Sequence, residues 1–111
     1  MNIIICGAGK VGFSISKQLS AQGHSVTVID QSSEDIKKIN DTQDVKGIMG
    51  RATLPTVLEN AGAEKTDMII AVTRNDETNM IVCQLASSLF NISKKIARIR
   101  TKDFLEGKWG K

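Results

Sequence analysis

Between Asn2 and Cys6 the chain is almost wholly apolar and stops at Gly7, the pattern of a strand buried on both faces of a parallel sheet. The period then changes. Val11, Ile15 and Leu19 recur at helical spacing, which predicts one apolar stripe of a helix, and Gly23 follows as its C-terminal cap. A second, β-branched run from Val26 to Ile29 ends at Asp30, and Ser32 or Ser33 can cap a short helix carrying Ile36 and Ile39.

Val45 to Met49 reads as a third, weaker strand, after which Thr53-Leu54-Pro55 opens a helix whose first turn tolerates the proline. Leu54, Val57, Leu58 and Ala61 supply its expected apolar face, and Gly62 ends it. Met68 to Val72 is the most apolar strand. The polar turn Thr73 to Asp76 leads into a helix with Ile81, Leu85 and Leu89 on one side, and Lys95 to Arg100 gives a last strand. Strands alternating with helices predict an α/β fold: a Rossmann-like, doubly wound parallel sheet in three α/β/α layers with right-handed crossovers. The pattern covers residues 1–104 as a single domain; residues 105–111, with Glu106-Gly107-Lys108-Trp109-Gly110-Lys111, are expected to be a disordered or truncated tail.

Composition narrows the picture. At 111 residues the chain can bury one core, with no room for a nucleotide domain plus a substrate domain. No apolar run approaches the roughly 18 to 20 residues of a membrane helix, and the first residues do not follow the pattern of a secretory signal. A cytoplasmic chain is expected. The basic residues gather late, with Lys94, Lys95, Arg98, Arg100, Lys102, Lys108 and Lys111 set against Asp103 and Glu106. This charge alone would suit nucleic acid, but aromatic residues are only 4% and no RNA-binding signature accompanies it, so no nucleic-acid partner is expected. Cys6 and Cys83 sit in apolar segments without metal or disulfide spacing and read as buried reduced thiols. His24, the only histidine, falls in an expected turn.

The chemistry lies in Gly7-Ala8-Gly9-Lys10-Val11-Gly12. A bare GxGxxG is a weak signal, but this one follows a strand, opens a helix and precedes an acid, Asp30, at the end of the second strand. Gly7 permits the tight turn, Gly9 lets the backbone approach phosphates, and Gly12 lets the helix pack closely on the sheet. The phosphates would meet the helix N-terminus, whose free N–H groups favour an anion. Asp30 is expected to accept hydrogen bonds from ribose hydroxyls. With Gln31 beside it and no adjacent arginine, a 2′-phosphate would be repelled, which disfavours NADP but leaves NAD(H), ATP and ADP open. The alternatives are a chance cluster of glycines and, for Asp30, a helix cap.

No GxxxxGK[ST] sequence is present, which excludes a P-loop NTPase. The chain has no tyrosine for a Tyr-Lys dehydrogenase pair, and one histidine leaves no His-based metal cluster or evident triad. These features point to a nucleotide sensor rather than an enzyme. The cofactor-binding half of an NAD-dependent oxidoreductase is the alternative.

Further segments carry a resemblance to a known family: Val57-Leu58-Glu59-Asn60-Ala61-Gly62-Ala63, Asp67-Met68-Ile69-Ile70-Ala71-Val72-Thr73, Asp76-Glu77-Thr78-Asn79-Met80, Ser88-Leu89-Phe90-Asn91 and Ile96-Ala97-Arg98-Ile99-Arg100. With the glycine loop, they make the chain resemble the N-terminal nucleotide-binding domain of TrkA, the peripheral regulatory subunit of bacterial Trk potassium uptake systems, a class also called KTN or RCK domains. The resemblance implies that Gly50, Arg51 and Ala52 lie near the adenine and that Val72 and Thr73 border the nucleotide. Arg51 departs from the small polar or acidic residue common at its position in the family. Arg98 and Arg100, alternating on the expected last strand, would share a face and approach phosphate from their own or a neighbouring subunit, or else be solvated strand-edge charges. The implied partners are a potassium-translocating membrane subunit at the inner face of the plasma membrane and further copies of the chain, as a dimer or a ring of dimers. Family members usually continue into a C-terminal ligand-binding domain absent from this sequence, so a fragment, a truncated product and a stand-alone chain are all open.

Overall fold

The computed structural model describes residues 1–105. Five parallel strands, β1 (Asn2–Cys6), β2 (Ser25–Asp30), β3 (Lys46–Met49), β4 (Met68–Ala71) and β5 (Lys94–Ala97), form one sheet in the order β3-β2-β1-β4-β5. The helices between them are α1 (Lys10–Ala21), α2 (Ser33–Thr42), α3 (Pro55–Asn60) and α4 (Asp76–Phe90), with a 3-10 turn at Ala63–Lys65 and a short α5 (Lys102–Leu105) after β5. This is the doubly wound arrangement expected. Strand order reverses at β1, which pairs with β2 on one side and β4 on the other, Cys6 standing opposite Ile29 and Ala71.

Alternation along the central strands divides the core in two. Ile3 and Ile5 with Val26, Val28, Ile70 and Val72 pack under α1 and α2, where Phe13, Ile15, Leu19, Ile36 and Ile39 meet them. Ile4 and Cys6 with Ile29, Ile69 and Ala71 pack under α3 and α4, against Leu58, Val82 and Ala86. The sheet is thus covered on both faces, as parallel strands require. Gly23 and Gly62 follow α1 and α3 with φ of 90° and 88°, and Ser32 caps α2 by accepting from the Asp35 amide at 3.1 Å. Each is a stop or start signal visible in the sequence.

Three expectations are corrected. Val11 is 39% exposed and points to the end of the sheet, because Gly12 and Ser16 are the residues of α1 pressed into the core. Likewise α4 turns Val82 and Ala86 inward with the polar Asp76 and Asn79, leaving Ile81 48% and Leu89 55% exposed. In both helices the fully buried positions fall to one side of the apolar stripe, so Ile15, Leu19 and Leu85 still pack against the core while Val11, Ile81 and Leu89 do not. The last strand stops at Ala97 rather than Arg100: Asp76 accepts from the Arg100 and Thr101 amides and draws the chain off the ladder toward α4. Of the expected tail, residues 105–111, Leu105 ends α5 and the rest lie outside the described residues.

Candidate functional site

At the carboxyl ends of β1 and β4, where strand order reverses, the loop Gly7 to Gly12 turns into α1. Gly7 has φ 116°, and a Cβ there would stand 2.9 Å from the Val72 carbonyl carbon, so both conformation and space demand glycine. A Cβ on Gly12 would collide with the Gly7 carbonyl oxygen, so α1 can sit this close to the loop only without one. Around Gly9 nothing lies within 4 Å of the Cβ position, which faces open space. Gly9 is the α1 N-cap and offers no side chain to the first-turn amides, and that turn holds no acid. The helix therefore presents N–H groups and its positive end to the cavity, and the cradle fits an anion.

Asp30 closes β2 beside this loop. Its Oδ2 accepts from the Ala8 amide at 2.7 Å and its Oδ1 from the Ser32 amide at 2.8 Å. The cap of α2 is Ser32, so the helix-cap alternative for Asp30 does not describe its geometry. Instead Asp30 joins the glycine loop to the turn before α2. Each carboxylate oxygen still has a lone pair for a ligand, since a carboxylate accepts at about four positions. Next to it, the Gly50 amide donates to the Asp30 carbonyl at 2.9 Å, which brings Gly50, Arg51 and Ala52 to the same rim.

The opposite wall is made by the ends of β4 and β5. The Arg98 guanidinium donates through Nη2 to the Thr73 carbonyl at 2.8 Å, and its Nε is buried without a protein partner. Hydrogen bonds from Thr101 and then from the Arg100 amide hold the Asp76 carboxyl below its ordinary range. Under the floor of the site, burial above all pushes the Cys6 thiol well above its usual range, with the neighbouring Cys83 and Asp30 adding to the effect. Cys6 is therefore an inert core thiol rather than a nucleophile.

A cavity of about 680 Å³ lies between these walls, within the range of small-molecule sites. Among the residues expected at a cofactor, Gly7, Gly9, Lys10, Val11, Asp30, Gln31, Gly50, Arg51, Ala52, Val72, Thr73, Arg98 and Arg100 line it, while Ala8 and Gly12 are buried behind its surface. Arg98 and Arg100 reach it from the segment beyond β5, not from alternate positions of one strand. Sequence reading missed Ile29, Asp35, Thr53, Arg74, Asn75, Thr78 and Ile81. The polar turn after the fourth strand is the sequence signal for Arg74 and Asn75; Thr78 and Ile81 lie within α4, where helical periodicity points to packing. Lys10, Arg51, Arg74, Arg98 and Arg100 outnumber Asp30 and Asp35 in the lining, a balance that attracts anions.

The TrkA-N domain model matches residues 3–107. The chain belongs to the TrkA-N domain family. Over 109 residues it is 45% identical to the Trk system potassium uptake protein TrkA of Azorhizobium caulinodans, covering 98% of the chain and 24% of that protein. The Vibrio alginolyticus protein of the same name is 41% identical, covering 97% of the chain and again 24% of the relative. The chain thus spans about a quarter of the length of these relatives, which are named as potassium uptake proteins and not as enzymes. Among solved structures, the TrkA-N domain of the Escherichia coli inner membrane protein ybaL superposes with a TM-score of 0.84 at 20% identity, covering 92% of this chain and 75% of that one. The Shewanella denitrificans Kef C-terminal domain in an AMP-bound form gives 0.79 at 25% identity, covering 93% and 62%. Among the described residues of this TrkA-N chain, no helix is long and apolar enough to cross a membrane.

Proposed function

We propose that this TrkA-N chain is a non-catalytic regulatory module that binds an adenine nucleotide, NAD(H) or ATP/ADP, in the cavity at the β1/β4 switch point. Its role is to control potassium transport through a Trk-type membrane transporter. The observation that carries this reading is the pairing of an uncapped α1 N-terminus at Gly9 with Asp30 on the same cavity. Phosphates sit on the helix amides and the surrounding cations, while Asp30 accepts from the ribose and Gly50 to Ala52 border the adenine. The AMP in the Kef domain and the names of the potassium uptake relatives support the same assignment. The module works at the cytoplasmic face of the membrane, docked on the potassium-translocating subunit and assembled with further copies of itself. Exposed Met80, Ile81 and Leu89 on α4 give such assembly an apolar surface. Nucleotide gates transport by binding one arrangement of the assembly better, a ten-fold preference being worth about 1.4 kcal/mol.

Because Asp30 also holds the Ala8 and Ser32 amides, the cleanest test changes the ligand and not the protein. Calorimetric titration with ATP, ADP, NAD, NADH and NADPH should show binding of at least one 2′-hydroxyl ligand, with NADPH weaker than NADH by about ten-fold or more from carboxylate repulsion. No binding at millimolar concentration would refute the nucleotide reading, and NADPH binding as tightly as NADH in Arg51→Ala, where the arginine on the Asp30 rim can no longer hold a 2′-phosphate, would refute the role of Asp30.

A further inference from the structure

The segment Asp76-Glu77-Thr78-Asn79 carries part of the family resemblance, yet neither Asp76 nor Asn79 lines the main cavity. Both are buried, an unusual place for such polar side chains, and both are turned toward the sheet. Asn79 uses its whole amide. Its Oδ1 accepts from the Thr73 amide at 2.9 Å and the Thr73 hydroxyl at 2.6 Å, and its Nδ2 donates to the carbonyls of Thr73 at 3.1 Å and Arg98 at 2.8 Å. The orientation of the amide is forced, since the Thr73 N–H can only donate and the two carbonyls can only accept. Asp76, one turn earlier, accepts from the amides of Arg100 at 3.0 Å and Thr101 at 2.7 Å.

Starting α4 does not require either residue. Asn75 is the N-cap and accepts from the Thr78 amide at 2.7 Å, and Val82 and Ala86 show that the same helix face packs on the sheet with apolar groups. What Asp76 and Asn79 add is specific: every bond just described ends on Thr73, Arg98, Arg100 or Thr101, and the first three line the cavity. The Arg98 guanidinium closes the circuit by donating to the Thr73 carbonyl that Asn79 also holds.

We infer that Asp76 and Asn79 are positioning residues that set where Arg98 and Arg100 stand against the phosphates of a bound nucleotide, an inference resting on the nucleotide site proposed above. Asn79 fixes the carbonyl of Arg98 and the loop its guanidinium leans on. Asp76 fixes the backbone of Arg100. The adenosine end, held by Asp30 and the Gly50 to Ala52 rim, and the first phosphate on the glycine loop do not depend on either. Loss of the latch should therefore weaken the grip on added phosphates while leaving nucleoside monophosphate binding in place.

The test is calorimetric titration of the wild-type chain, Asn79→Ser, Asp76→Asn, Arg98→Ala and Asn79→Ser/Arg98→Ala with ATP and with AMP. The wild type should prefer ATP. Asn79→Ser should lower ATP affinity about ten-fold, the size expected when a charge-assisted hydrogen bond is misaligned, and leave AMP affinity within about two-fold. The double variant should lose no more ATP affinity than Arg98→Ala alone, because both changes act through one guanidinium. Asp76→Asn keeps the shape and one acceptor oxygen, so it serves as the test if Asn79→Ser does not fold; it should also reduce ATP affinity selectively. An ATP-to-AMP ratio unchanged in the folded variants, or additive losses in the double variant, would overturn the inference. A wild-type chain that binds NADH but not ATP also overturns it and leaves the nucleotide site standing, whereas one that binds no nucleotide overturns both.

Discussion

The two walls of the cavity are shaped in opposite ways. On the α1 side Gly7, Gly9 and Gly12 shape the wall by what they lack: Gly7 and Gly9 line it with Gly12 buried behind them, and a Cβ at Gly7 or Gly12 would strike backbone while one at Gly9 would meet open space. On the α4 side the surface is held by side chains, with Asn79 and Asp76 tying Thr73, Arg98 and Arg100 into place. A wall made of close backbone approach is rigid and intolerant of added atoms. A wall made of side-chain hydrogen bonds can be loosened one bond at a time, and it is the wall that carries the arginines.

The contrast can be broken most severely at Gly12. Replacing a helical glycine by alanine ordinarily stabilises by up to about 1 kcal/mol, but here the new methyl would meet the Gly7 carbonyl. Gly12→Ala is expected to destabilise the fold by about 3 kcal/mol, read as a lower urea midpoint. On the other wall Asn79→Ala strands the Thr73 amide and leaves the Arg98 carbonyl unpaired, while the Thr73 carbonyl keeps its bond from the Arg98 guanidinium, for an expected loss of about 2 kcal/mol in the same assay. If Gly12→Ala proved neutral, the close approach of α1 to the loop would be wrong.

A smaller effect should follow pH. The folded-state pKa of Asp76 lies below its ordinary value of 3.8, so its contribution is fully present above that value and is lost as pH falls through the lower folded pKa. The gap in melting temperature between the wild type and Asp76→Asn should therefore be constant near neutrality and narrow below pH 3.8. Protection of the Arg100 and Thr101 amides from exchange, taken relative to their intrinsic rates, should fall over the same acid range. A gap that widened on acidification would contradict the hydrogen-bonded carboxylate.

The glycine wall was legible in the sequence because its roles are written in residue type at fixed spacing: strand, glycine loop, helix, then an acid ending the next strand. The α/β order was equally legible, since strands buried on both faces leave continuous apolar runs. The α4 wall was not. Asp76 and Asn79 look like ordinary first-turn polar residues, and nothing in their spacing says that they bond to a segment some twenty residues later. The apolar stripes of α1 and α4 were legible in part: Ile15, Leu19 and Leu85 pack against the core, but the fully buried positions are Gly12, Ser16, Val82 and Ala86, so Val11, Ile81 and Leu89 stay outside. The end of β5 was misplaced because a side chain on another element, Asp76, captures the backbone there. Dual use hid part of Asp30 as well, whose carboxylate organises the glycine loop besides facing the cavity.

Gly9→Ala offers the most direct test that the cavity is a nucleotide site. The added methyl meets no protein atom within 4 Å and the backbone, at φ −72°, already suits alanine, so stability should stay within about 0.5 kcal/mol of the wild type. In the proposed placement the same methyl stands where phosphate approaches the α1 amides, so calorimetric affinity for ATP or NADH should fall about ten-fold or more. A folded Gly9→Ala chain that binds either nucleotide as tightly as the wild type would contradict the placement of the phosphates on this loop.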